Sequence, residues 1–114
     1  MILSTYEEFT MLNSEMITYI NELVTNDFNG YEEEEVIKQI SEKLNKIEEL
    51  KFKSDEAIAD VSDINNLNEL RYSIMNSLFL LSDLLHFYKL REYDRFKMRA
   101  INYINHNAKQ VYYQ

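Results

Sequence analysis

"HFYKLREYDRFKMRAINYI", residues 86–104, is the stretch on which the architecture turns. From Arg71 to Gln114 the chain contains neither Gly nor Pro, so residue chemistry alone would permit one continuous helix over that whole span. The phase of the apolar residues forbids it. At about 100° per residue, Leu70, Ile74, Leu78, Leu81 and Leu85 gather on one side, whereas Tyr93, Phe96, Ala100, Ile104 and Val111 gather on a side rotated by roughly 120°. One straight helix cannot turn both stripes toward a single core, so a bend or short loop is expected near residues 88–92.

The remainder of the chain agrees with an all-α fold. In 114 residues there are no prolines and one glycine. Sheets need those residues for turns and bulges, whereas helices can be joined by a few polar residues. A first helix is expected from Ser4 or Thr5, each three residues before a glutamate (Glu7, Glu8), the spacing of a reciprocal cap. Phe9, Leu12, Met16, Ile20 and Leu23 form its apolar stripe. Asn29-Gly30 in "DFNGY" is the expected break, since both residue types tolerate positive φ.

A second helix follows from about Glu32 with Ile37, Ile40, Leu44 and Ile47 inward. Its run Glu32, Glu33, Glu34 and Glu35 suits the positive end of the helix dipole. "KFKSDEA" should close it, Ser54 or Asp55 capping a short segment through Ala57, Ile58 and Val61. Asn66, three residues before Glu69, marks the start of a long third helix that runs to about Tyr88. The expected architecture is a single domain, residues 1–114, built as an antiparallel bundle of four main helices with a short additional helix between the second and third. The third helix carries apolar residues beyond its stripe (Phe79, Leu80, Phe87), which suits a helix central in the bundle or covered by a second chain.

With no cysteine, neither a disulfide framework nor a thiolate metal site is available. The longest uninterrupted apolar run, residues 78–81, is far short of a membrane span, and "MILSTYEEF" lacks the pattern of a secretory signal. The expected compartment is therefore the cytoplasm, or a host's cytoplasm for a virus- or plasmid-borne protein. One glycine excludes the familiar phosphate-cradling loops, and no residue sits in a recognisable nucleophile setting. Asp83-x-x-His86 has the spacing of half a di-iron motif, but His106 has Tyr103 where a second acid would stand, so neither a metal nor any other cofactor is expected. The expectation is a protein that is not an enzyme.

Charge is the strongest functional signal. Residues 1–70 hold 17 acids against 5 lysines, a net of −12, and residues 71–114 hold 3 acids against 7 Lys and Arg, a net of +4. Arg91, Arg95 and Arg99 recur at four-residue spacing and form a stripe pointing away from Tyr93, Phe96 and Ala100. Three readings of that stripe compete: it meets acids of its own chain, it meets a protein partner, or it meets phosphates. Candidate partner-binding residues are Phe87, Tyr88, Arg91, Arg95 and Arg99, with 32–35 as a candidate acidic face. Small secretion chaperones, immunity proteins and virus-encoded inhibitors share this size, acidity and helicity. The expectation is thus a small acidic adaptor, chaperone or inhibitor that binds a partner protein or a second copy of itself. Nucleic-acid binding through the fourth-helix stripe is the alternative.

Overall fold

The computed structural model describes residues 2–57 and 63–112, which form four helices and no strand. They are α1 (Ile2–Thr25), α2 (Glu33–Glu56), α3 (Ile64–Lys89) and α4 (Tyr93–Tyr112). Ion pairs and hydrogen bonds fix their directions. Lys53 near the end of α2 meets Glu8 near the start of α1, Arg71 near the start of α3 meets the end of α2, and Arg99 of α4 meets Asp83 of α3. Successive helices therefore run antiparallel. α3 packs on all three others, whereas α2 and α4 do not touch among the described residues, so α1 and α3 span the short diagonal of the bundle.

The expected core residues of α1 are all buried. In α2, Val36 and Leu50 join Ile40 and Ile47 in the core, with Ile37 and Leu44 half-buried against it. The face of α3 is rotated from the expected stripe. Leu67, Leu70, Ile74, Ser77, Leu80, Leu81, Leu84 and Tyr88 are buried, while Leu78 and Leu85 are half-buried. The reason is central placement: a helix with three neighbours buries a broad arc rather than one line. Phe79 still projects outward, 54% exposed. In α4, Phe96, Ala100 and Tyr103 are buried, and Tyr93 and Ile104 pack half-buried against them. The expectation for Val111 lies outside the described side chains.

The break near residues 88–92 is present, and its chemistry is a helix C-cap. Arg91 has φ 59°. Its N–H donates to Tyr88 O at 3.0 Å, and Glu92 N–H donates to Phe87 O at 2.8 Å. This pair of reversed bonds is the Schellman motif, usually built on glycine. α1 ends the same way: Asp27 N–H donates to Val24 O at 3.1 Å and Phe28 N–H to Leu23 O at 2.8 Å. Positive φ there falls on Asp27 (51°), Phe28 (63°) and Gly30 (84°), so the first turn starts earlier than Asn29-Gly30 and Asn29 itself is not left-handed.

These two turns lie at the same end of the bundle and hold each other. The Phe28 ring packs among Tyr93 (centroids 4.9 Å apart), Phe96 (5.1 Å) and Tyr88 (5.9 Å). Lys97 pairs with Asp27 and lies over the Phe28 ring, and Arg91 reaches Glu33 at 3.6 Å. Non-glycine residues in the left-handed region cost about 1–2 kcal/mol each, and aromatic pairs return about 0.5–1.5 kcal/mol beyond their burial.

Other boundaries differ from the sequence reading. Ser4 and Thr5 lie inside the first turn of α1, which begins at Ile2. Asp63, not Asn66, stands at the start of α3. Ser54 and Asp55 belong to the last turn of α2, and the short helix expected through Ile58 and Val61 falls on residues outside those described.

At this opposite end Arg71 reaches the carbonyls at the end of α2, one of which, Ser54 O, also accepts the Ala57 N–H at 3.4 Å. Its Nε donates to Ser54 O at 2.9 Å and its Nη2 to Ala57 O at 3.3 Å. The terminal carbonyls of a helix lack internal partners and carry the negative end of its dipole, so a guanidinium suits them doubly. Arg71→Met, which keeps the apolar stem, should lower stability by about 1–2 kcal/mol in urea denaturation with an unchanged slope. A change below about 0.3 kcal/mol would mean that water serves those carbonyls equally well.

Candidate interaction site

The residues singled out by the sequence do not form one exposed surface. Tyr88 is 3% exposed and packs in the aromatic cluster against Phe28. Phe87 is half-buried against the core. Each arginine of the stripe meets a carboxylate of its own chain: Arg91 with Glu33 (3.6 Å), Arg95 with Glu92 (3.4 Å) and Arg99 with Asp83 (3.0 Å). The first two pairs are largely exposed and hold little energy. They nevertheless turn much of the basic character of the C-terminal part back onto the same chain.

The acidic run opens α2 as expected, with Glu33, Glu34 and Glu35 in its first turn. Glu32, Glu33, Glu34 and Glu35 are all exposed; Glu33 reaches Arg91, and Glu35 accepts from Gln39 at 2.9 Å. Asp83 is committed to Arg99 and His86 is exposed. Among the described residues there is no group of three acids or histidines that could hold a metal, and no helix long and apolar enough to cross a membrane.

The concave feature lies elsewhere, between α1, α3 and α4. A groove of about 860 Å³ runs from Leu3 to Asn13 along α1 and from Asp63 to Phe79 along α3. Arg99, Asn102, Tyr103 and His106 supply its α4 wall. Phe9 and Leu70 lie in its floor, while Leu3 (67% exposed), Tyr6 (53%) and Phe79 stand on its rim. Thr10, Asn13, Asn66, Ser73, Asn76 and Asn102 bring hydroxyls and amides to the lining.

The deep edge of the groove is a polar cluster joining three helices. Tyr103 Oη donates to Asn13 Oδ1 at 2.8 Å. With the phenol proton so used, the buried Ser77 hydroxyl is the donor to Tyr103 Oη at 2.7 Å. Ser77 lies in the core phase of α3, between Ile74 and Leu81, where an apolar side chain would otherwise stand. A buried network of this kind is tolerated only when its members satisfy one another. A sequence signal for this cluster existed: a serine at a core position, matched by an amide and a phenol on the apolar stripes of two other helices. The groove itself had none, because its walls come from separate helices.

A second phenol, half-buried Tyr19, lies on the α1–α2 side. Its ring meets Tyr31 edge-on at 6.3 Å and carries the Lys43 ammonium 4.9 Å above it, but its buried Oη has no hydrogen-bond partner among the described residues. Burial, and then the nearby Glu35 carboxylate, push its pKa up to about 12. Tyr88 is raised too, by burial and then by Tyr93 and Glu33.

Comparison with known proteins finds no match to a family model, a curated protein or a solved structure.

Tyr19 gives a pH test. Its folded pKa lies above the ordinary phenol value of 10.0, so its contribution is complete below pH 10 and lost as pH rises toward about 12. Unfolding titrations should show stability falling across that window, less steeply in Tyr19→Phe. At neutral pH the same substitution removes an unpartnered hydroxyl and should stabilise by about 1 kcal/mol. Destabilisation by Tyr19→Phe would mean that the hydroxyl is satisfied in solution.

Proposed function

We propose that this chain is a non-enzymatic protein-interaction module and that it binds through the groove between α1, α3 and α4. One observation carries the reading: an elongated concavity with an apolar floor, an exposed aromatic and aliphatic rim, and walls made mainly of amides and hydroxyls. Amides and hydroxyls can donate or accept hydrogen bonds to a partner's backbone and side chains. Interfaces of this type draw their energy from buried aromatic anchors inside a polar surround.

The groove is favoured over the two surfaces that charge alone suggested. The arginine stripe is paired with Glu33, Glu92 and Asp83, and the glutamates that open α2 are exposed to solvent. Its α1 wall, from Leu3 to Asn13, extends about 15 Å at 1.5 Å per residue, room for roughly three turns of a partner helix. Phe79, Tyr6 and Leu3 then take the role that Phe87 and Tyr88 held in the sequence reading.

Site-specific photo-cross-linking tests this in cells that make the protein. A cross-linker in place of Asn76, in the groove, should give a protein adduct identifiable by mass spectrometry, and Phe79→Glu should abolish it. The same group in place of Glu48, exposed on α2, should give none. Adducts from position 48 with none from position 76 would transfer the function to the acidic surface.

A further inference from the structure

The unpaired charge of the groove lies at one end of it. Asp63 and Glu69 line the α3 wall toward the end where α1 begins, separated by about 9 Å of helix rise. Both are exposed, and neither carboxylate meets a hydrogen-bond or ion-pair partner among the described residues. Asp63 stands before the first turn of α3 yet makes no side-chain cap bond. The α3 N-terminus offsets part of its charge, but that influence fades within the first turn, and Glu69 stands beyond it. Arg99 is the one Lys or Arg among the described lining residues, and its Nε donates to Asp83 at 3.0 Å, so Asp83 balances the other end.

An aromatic ring shares the acidic end. Ser77 lies level with Asn13, and α1 and α3 run in the same direction. Stepping back along both helices by the same rise places Glu69 level with Thr5 and Tyr6. Tyr6 lines the groove, is 53% exposed, and its ring meets no cation and no other ring among the described residues.

Resting on the reading of this groove as the interaction surface, we infer that its occupant is a cationic segment of a partner protein. Apolar side chains of the segment cover Phe9, Leu70 and Phe79, and a Lys or Arg sits at the end bordered by Glu69, Asp63 and Tyr6. A segment that covered the apolar floor without a cation would strip water from two carboxylates and return nothing for it. A Lys or Arg restores that loss with an ion pair to Glu69, lays its aliphatic stem along Leu3 and brings its charge to the face of the Tyr6 ring. The amide and hydroxyl walls add hydrogen bonds with no preference for either sign of charge. The net charge of −8 on the chain favours the same encounter. An acidic segment would meet repulsion from Asp63 and Glu69, and the guanidinium of Arg99 is already held by Asp83.

Selection from random peptides of about 12 residues, displayed on phage and panned against the full chain at physiological salt, tests the inference. The strongest binder is then synthesised with a fluorophore and titrated by anisotropy. Its sequence should join apolar residues to Lys or Arg at one end. Glu69→Lys should weaken it at least about 10-fold, and Tyr6→Leu, which keeps the apolar rim, about 3-fold. Glu48→Lys makes the same charge change at an exposed position on α2 and should alter the affinity less than about 2-fold. A binder without Lys or Arg, or one weakened equally by Glu69→Lys and Glu48→Lys, would overturn the cationic occupant. Failure to select any peptide tighter than about 100 µM would overturn it too, with cross-linking from position 76 still deciding the groove. The wider groove reading is judged by Phe79→Ser, at an exposed position. A binder that this substitution weakens keeps the groove whatever its charge, whereas one indifferent to both Phe79→Ser and Glu69→Lys binds another face and overturns both readings.

Discussion

The organisation of the bundle depends on one phenylalanine ring held in an unfavourable backbone. Phe28 has φ 63°, a region that bulky side chains seldom occupy, and Asp27 before it and Arg91 in the opposing turn share that conformation. None of the three is glycine, so each turn carries a local cost. What offsets the cost is mutual: Phe28 of the first turn lies against Tyr93, Phe96 and Tyr88, which flank the second. The α1–α2 hairpin is thereby joined to the α3–α4 hairpin at one end, with Lys97–Asp27 and Arg91–Glu33 as exposed outer ties. Ion pairs of that exposure add little, so the rings carry the junction.

From that junction the character of the helix contacts changes along the bundle. Near the turns, α1, α3 and α4 meet through aromatic and aliphatic side chains. At the level of Asn13 and Ser77 they meet through a shared hydrogen-bond cluster with Tyr103. Beyond it the helices border the groove, where Leu3, Tyr6 and Phe79 are exposed rather than packed. The polar cluster marks the boundary between the part of the bundle that closes on itself and the part that presents a surface. At the α2–α3 side of that end, Arg71 closes the α2 terminus from within the chain. The proposed binding role follows this division: a stapled end for stability and an amphipathic end for a partner.

Much of the fold was legible in the sequence because helical periodicity and the phase shift between residues 70–85 and 93–111 are local signals. They gave the all-helical class, four helices and the break at residues 88–92. The turns were less legible. Nothing local marks Phe28 or Arg91 for positive φ; they adopt it because tertiary contacts on the far side of each turn outweigh the intrinsic preference. The α3 face was misphased since the Leu78/Leu85 line and the Leu80/Leu84 line are both apolar, and only the number of neighbouring helices decides which is centred. Among the site residues, Tyr88 has basic neighbours that suggest the surface, but it is buried against the ring of Phe28, 60 positions earlier in the chain. The arginines were placed on their proper face, but their partners Glu33, Glu92 and Asp83 come from three different segments.

The central claim is that the two turns stabilise each other through the Phe28 ring, and a double-mutant cycle on Phe28→Leu and Tyr93→Leu tests it most directly. Urea denaturation of the wild type, both single variants and the double variant isolates the pairwise term from whatever each leucine costs by itself. The account predicts a coupling of about 1 kcal/mol, the double variant losing less than the sum of the singles. Costs that add to within about 0.3 kcal/mol would contradict it and show that each turn is held by its own hairpin alone.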